Sequence, residues 1–362
     1  MIKLIENYFK VNKLHSIYTI IILCIMFMIF RTYIDEVLQN KRLMDYADYL
    51  DDNLYVLNIY DYENIENLHQ EFGDAMSYVY SEILEDSSLN ESFACYHVNQ
   101  FYCDNVIKVK KGRLLTYGSN KNEVLLFGTR LQHHYDIGDS VILGGEEYTV
   151  VGYISSTGYL LDLFHTGINS ESNIEDISTR ALNGDMFVTN SCDLSGYKSD
   201  GNFVTCNVVI VDRYSDNYKN AVSMKQIKRN TYKFIGQRKR FSILGVAMLL
   251  VLLMYSVLSM TVVHSKRCGK LLSIYYINGL SKKGYMLFSI LTEVAIIVCA
   301  NALYIFIYLS NFLNRIFIQS DSMGVWCIYS SLILSAFLII IDVLFNLFMV
   351  KASALEIMRK CE

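Results

Sequence analysis

Proline is absent from all 362 residues, where average usage near 5% would supply about eighteen. Collagen-like and proline-rich linker architectures are excluded by that absence. Charge is also scarce. Asp, Glu, Lys and Arg make up 19% of the chain, and 32 basic against 36 acidic residues leave a net charge of -4. No overall basic field exists to hold nucleic acid, so no nucleic-acid partner is expected. Motifs that carry chemistry are missing as well. A phosphate-cradling loop needs G-x-x-x-x-G-K-[ST], so that backbone N–H groups and a lysine converge on the phosphates. The nearest string, Gly269-Lys270-Leu271, lacks the hydroxyl and has His264 where the first glycine belongs. No G-x-S-x-G, H-E-x-x-H or G-x-G-x-x-G occurs. The expectation is a chain that is not an enzyme, with no catalytic residues, no metal and no cofactor of its own. The seven His are scattered, and the adjacent His133 and His134 read as exposed polar residues.

What the chain has is apolar surface: 52% hydrophobic residues and a mean hydropathy of +0.26. Four apolar runs approach or exceed the roughly 20 residues that a helix needs to cross a bilayer, at 14–30, 241–263, 286–309 and 325–350. The first has a long core and no small-x-small cleavage site after Phe30, so it reads as a retained anchor rather than a signal peptide. Orientation follows from Lys and Arg in short loops. The 264–285 loop holds Lys266, Arg267, Lys270, Lys282 and Lys283 and no acid, whereas 310–324 holds Arg315 against Asp321. Both termini (1–13 and 351–362) and the 264–285 loop are therefore expected in the cytoplasm, and residues 31–240 outside. Lys225, Lys228, Arg229, Lys233, Arg238, Lys239 and Arg240 crowd the outer approach to the second span, against the rule. They read as a solvated helix face, with anionic headgroups or an acidic partner as the alternatives.

The outer segment reads as α+β. Charge-rich stretches at 33–60 and 212–240 suggest helices of a stalk. Strands are expected at 123–127, 140–143, 147–154, 185–189 and 203–211, with a Gly144-Gly145 turn, and 166–183 reads as a loop. Cys95, Cys103, Cys192 and Cys206 face the oxidising side, where Cys95 with Cys103 or Cys192 with Cys206 would close short loops, the alternative being buried free thiols. Within the spans, Glu293 and Asp342 lie at similar depth and are functional candidates, either sharing a proton or forming a polar clamp, with Asn301 and Asn346 as further interhelical hydrogen bonders.

One span, a large outer domain and three more spans resemble the FtsX/MacB-type ABC-transporter permeases. The string Glu123-Val-Leu-Leu-Phe-Gly-Thr-Arg-Leu, with Tyr135-Asp-Ile-Gly-Asp-Ser-Val-Ile-Leu-Gly-Gly and Tyr148-Thr-Val-Val-Gly-Tyr-Ile, is similar to the family's extracytoplasmic core, in which a "GD-x-V" run precedes strands ending "VVG". Ser265 to Lys283 resembles its basic helix and glycine turn, here at Gly279. Lys351-Ala-Ser-Ala-Leu-Glu-Ile-Met-Arg resembles its tail without the proline. The resemblance implies an α-helical membrane protein with four transmembrane helices and a MacB-like α+β domain inserted between the first two, in a bacterial cytoplasmic membrane. It further implies a dimer with a second permease copy or paralogue, and a separate ABC ATPase subunit that binds the ATP. Lys266, Arg267, Lys270, Gly279, Lys282 and Lys283 would dock the ATPase through a helix lying at the inner membrane face. Its closure would move the outer domain (mechanotransmission) to export or release a peptide, lipoprotein or other amphiphile. The alternatives are a regulator of a cell-wall hydrolase and a membrane sensor or scaffold.

Overall fold

The computed structural model describes residues 5–6, 9–10, 13–59, 63–118, 121–154, 159–164, 167–180, 185–190, 204–218, 220–277, 281–309, 329, 331–340 and 343. The chain divides into two units, Leu38–Arg238 and a second one made of Met1–Val37 with Lys239–Glu362. The principal helices are α1 (Lys13–Tyr49), α2 (Glu63–Phe72), α3 (Gln100–Val106), α4 (Thr129–His134), α5 (Met224–Ile277), α6 (Lys282–Leu309) and α7 (Ser331–Ile340). The strands are β1 (Tyr55–Asn58), β2 (Val79–Asp86), β3 (Glu91–Val98), β4 (Val109–Gly112), β5 (Glu123–Phe127), β6 (Ser140–Leu143), β7 (Glu146–Ile154), β8 (Tyr159–Leu161), β9 (Ser178–Arg180), β10 (Met186–Thr189), β11 (Val204–Thr205), β12 (Val208–Val211) and β13 (Val222–Ser223).

The Leu38–Arg238 unit is built on a mixed eight-stranded sheet in the order β11-β2-β3-β10-β5-β7-β4, with β6 pairing β2 and β7. Its central pairs β3/β10 and β5/β7 are parallel, an arrangement that requires cover on both faces. The side chains alternate accordingly. Leu125 and Phe127 of β5, Tyr96 and Val98 of β3 and Val188 of β10 join one large core with Leu43, Tyr46, Ala47 and Leu50 of α1. Val124, Leu126, Phe93, Cys95 and Phe187 enter a smaller core on the other face, closed by Leu131 and Tyr135. The β6–β7 hairpin turns through Gly144 (φ 59°) and Gly145 (φ 91°), the double left-handed geometry of a two-residue hairpin loop. At Gly128 (φ 112°), which precedes α4, a Cβ would lie 2.0 Å from Asp185 Oδ1. That oxygen accepts from the Arg130 backbone N–H at 3.1 Å, so the missing side chain lets Asp185 reach the start of the helix.

Several expectations are corrected. The helix expected over 33–60 stops at Tyr49, where Asp51 accepts from the Asn53 N–H in a tight turn, and β1 follows. The helix expected over 212–240 begins only at Met224, after β12 has ended at Val211 and β13 has formed. The 203–211 strand is two, β11 and β12, interrupted at Cys206 and Asn207, and the 166–183 loop contains β9. The 264–277 part of the segment expected to lie along the membrane face instead continues α5, one unbroken helix of 54 residues. The 310–324 loop, the 351–362 tail and most of the 325–350 run lie outside the described residues.

In the other unit, Leu23, Cys24 and Phe27 of α1 pack with Ile296, Ile297, Ala300 and Tyr304 of α6 and Leu334 and Leu338 of α7. The outward faces are apolar too. Ile17, Ile21, Ile25 and Ile29 form an exposed i, i+4 row on α1, and Leu244, Met248 and Leu252 do the same on α5, with Phe241 (76% exposed) and Val251 exposed beside them. Among the described residues, Ser16–Tyr49 and Ile290–Ile307 are long and apolar enough to cross a membrane. Helices apolar on both their packed and their outward faces are suited to an apolar solvent rather than to water.

Candidate functional site

The place where α1 ends and α5 begins is fastened by several groups that lie far apart in sequence. The strands that follow α1 and precede α5 pair antiparallel, Tyr55 with Ser223 and Val56 with Val222. The Met224 N–H donates to the Leu54 carbonyl at 2.7 Å. One turn further along α5, the buried Lys228 Nζ donates to the Leu50 carbonyl at 2.6 Å and to Asp52 Oδ1 at 2.5 Å. A helix ends in carbonyls without intrahelical partners, so a cation there satisfies one of them and complements the helix dipole. Tyr232 donates to Asp48, and Tyr46 donates to the Val106 carbonyl while accepting from the Leu161 N–H.

The electrostatics agree with this geometry. The Lys228 hydrogen bond holds the Asp52 carboxyl below its ordinary range, and the bond to Asp48 pushes the Tyr232 phenol up to about 12. Replacing Lys228 by Met keeps the stem's packing and removes only the charged head. The expected loss is about 2 kcal/mol, read as a lower urea midpoint of the full chain in detergent. Because Asp52's folded pKa is depressed, its share of the stability is present above pH 3.8 and lost as pH falls through the lower folded value. A Lys228→Met midpoint equal to that of the parent would remove the fastening role.

A second cluster is sealed inside the sheet. Thr189 Oγ1 lies 2.9 Å from His97 Nδ1, and His97 Nε2 lies 2.6 Å from Glu82 Oε1, with the Tyr80 ring stacked at 4.3 Å. Hydroxyl, imidazole and carboxylate follow the order of a nucleophilic triad. Thr189 has no exposed surface, however, and His97 has 2%, so no substrate reaches the hydroxyl. Burial pushes His97 down to about 4, while burial first and then the Glu146 charge push Glu82 up. A third group links Arg113 to the buried Glu123 through two nitrogens, at 2.8 and 2.5 Å, and Glu123 also accepts from the Thr116 N–H at 2.8 Å. The Arg113 hydrogen bond holds the Glu123 carboxyl below its ordinary range.

The residues singled out from the sequence fall in several places. Lys266, Arg267 and Lys270 lie on the last turns of α5, and Lys282 and Lys283 open α6, where Ser281 Oγ accepts from the Gly284 N–H at 3.1 Å as a cap. Glu293 is buried on α6. Asn301 donates to the Ser335 hydroxyl of α7 at 2.7 Å and to the Ile297 carbonyl at 2.9 Å, an interhelical hydrogen bond in an apolar surround. Gly279, Asp342, Asn346 and Cys192 lie outside the described residues. Cys95, Cys103 and Cys206 are buried, and Cys95 and Cys103 are free thiols. The short Cys95–Cys103 bridge does not form, because Cys95 belongs to the smaller core and Cys103 to the larger one on the opposite face of the sheet. Burial raises both thiols, Cys103 to about 11, and so disfavours the thiolate that exchange requires. Among the described residues no group of His, Cys, Asp and Glu could hold a metal.

Sequence reasoning singled out neither Lys228's partners nor the Arg113–Glu123 pair. The one signal available was the run from Met224 to Arg240, which contains seven bases and no acid, so any partner had to come from elsewhere in the chain.

No described protein family matches the sequence, and no curated protein does. Among solved structures, the chain is similar to the extracellular domain of YknZ, a noncanonic ABC-type transporter from Gram-positive bacteria. The identity is 12% and the TM-score 0.27, over 51% of this chain and 94% of that one.

Proposed function

We infer that the chain is a membrane-embedded subunit that carries its α+β domain outside the cell and relays movement to it from a separate ATPase, as a permease of the FtsX/MacB type. The observation that carries this reading is the pair of long helices, α1 and α5. Each combines an outward apolar face with an end built into the core of the Leu38–Arg238 unit, and the two are fastened to each other where they enter it. A rod that moves at one end displaces what is anchored at the other, provided the rod does not bend, and neither helix contains proline. The basic residues at the end of α5 and the start of α6, Lys266, Arg267, Lys270, Lys282 and Lys283, form the docking side for the ATPase in this reading, with ATP held by that partner.

The test is copurification from membranes, followed by an ATPase assay. The parent chain is expected to bring down a nucleotide-hydrolysing subunit, and Lys282→Glu with Lys283→Glu to lose most of that capture and its stimulation, since the substitution reverses the charge of the docking side. Capture and stimulation unchanged in the double variant would remove the docking face. Labelling of residue 282 and of the 38–238 domain from the same side of the membrane would remove the whole reading.

A further inference from the structure

Residues 224–240 carry seven bases and no acid; Lys228 meets Asp52, and Arg238 meets Glu175 at 3.0 Å. Lys225, Arg229, Lys233 and Arg240 are exposed. At 3.6 residues per turn these four fall within about 80° of one another, opposite the buried row of Met224, Ile227, Thr231 and Ile235. The same helix turns apolar at Phe241, directly after Arg240. We propose that the lower end of this basic face, Lys233 and Arg240, binds the phosphate headgroups of anionic lipids in the leaflet that the 241–263 run enters. The proposal rests on the membrane-spanning reading above.

Position along the helix decides which bases take part. The polar layer of a bilayer is about 5–8 Å thick on each side. At 1.5 Å per residue, Arg240 stands at its inner edge and Lys233 about 12 Å from Phe241, within a Debye length of the headgroups. Lys225, about 24 Å away, is beyond that reach. An acidic protein partner would engage the whole row, including Lys225. A lipid surface engages its lower end alone, and the change to an exposed apolar face at Phe241 favours the lipid.

The experiment uses the full chain reconstituted in phosphatidylcholine vesicles with trace spin-labelled phosphatidylglycerol or spin-labelled phosphatidylcholine, and reads the motionally restricted fraction of each. The expected result is a preference of about threefold for the anionic lipid, collapsing at high salt, clearly reduced by Lys233→Gln with Arg240→Gln, and unchanged by Lys225→Gln. The phosphatidylcholine signal reports in each case that the variant is still embedded. No preference in the parent, a preference undiminished by the double substitution, or an equal loss in Lys225→Gln would overturn the proposal. Equal restriction of both lipids, accompanied by poly-glutamate binding to the parent, would overturn it in favour of an acidic partner. If neither lipid is restricted, the chain is not in the bilayer, and the spanning reading falls together with the proposal.

Discussion

Proline at Val37 is expected to abolish transport while the partner's ATP hydrolysis continues. Val37 lies within α1, twelve residues before its end at Tyr49, and its side chain is 43% exposed. Proline there removes the N–H that bonds the carbonyl four residues back, and its ring collides with that same turn, at a cost of about 3 kcal/mol and a kink. No core packing is lost, because the side chain faces outward. Ile227 on α5 is a poorer place for the same test, since it is fully buried and proline would damage the Leu38–Arg238 unit as well as the rod. Val37→Ala serves as the control: it raises helix propensity and should leave transport near the parent level. The readout is substrate movement in proteoliposomes that contain the ATPase, beside phosphate release. Full transport in Val37→Pro would show that α1 is a tether, and relay through it would have to be abandoned.

Arg113→Met is expected to destabilise the α+β unit more than Glu123→Gln does, although Glu123 is the buried member of the pair. Glu123 has 5% of its side chain exposed and Arg113 54%. Removing Glu123's charge leaves a guanidinium that water can reach. Removing Arg113 leaves a buried carboxylate without its cation, held by the Thr116 N–H and side chain. A buried charge deprived of its partner costs about 3–5 kcal/mol, against about 1–2 kcal/mol for the neutral isostere. The pH dependence separates the two effects. In the parent, Glu123's folded pKa lies below 4.5 because of Arg113, so the pair's contribution is present above that value and is lost as pH falls through the folded pKa. In Arg113→Met burial pushes the carboxyl up instead, so the deficit is largest near neutrality and shrinks as acid neutralises the group. Urea midpoints of the full chain in detergent, taken between pH 4 and 7, check both points. A deficit that grows on acidification, or a larger loss in Glu123→Gln, would refute the asymmetry.

The strands legible in the sequence are those whose pattern is local. β5, β6 and the Gly144-Gly145 hairpin were readable because alternation, β-branched residues and paired glycines specify them over a few residues. β1 was not: Tyr55-Val-Leu-Asn is short, and the helical charge pattern that precedes it runs into it without a proline or glycine to mark the change. β9 and β13 are two or three residues long and exist through their partners, Tyr159–Leu161 and Tyr55–Val56. The basic cluster before the 241–263 run was conspicuous in the sequence. That Lys228 and Arg238 are internal fasteners while Lys233 and Arg240 are exposed depends on Asp52 and Glu175, far away in the chain.

The sequence by itself therefore determined which stretches are apolar enough for a lipid interior, that a long mixed segment separates the first from the rest, and where its most regular strands lie. Each of these is a property of neighbouring residues and of helical or strand periodicity. The tertiary structure alone decided which thiols lie on opposite sides of the sheet, that α5 runs on to Ile277, and that the ends of α1 and α5 are joined through β1, β13 and Lys228. The last of these depends on pairings between groups more than a hundred residues apart, for which a local pattern carries no signal.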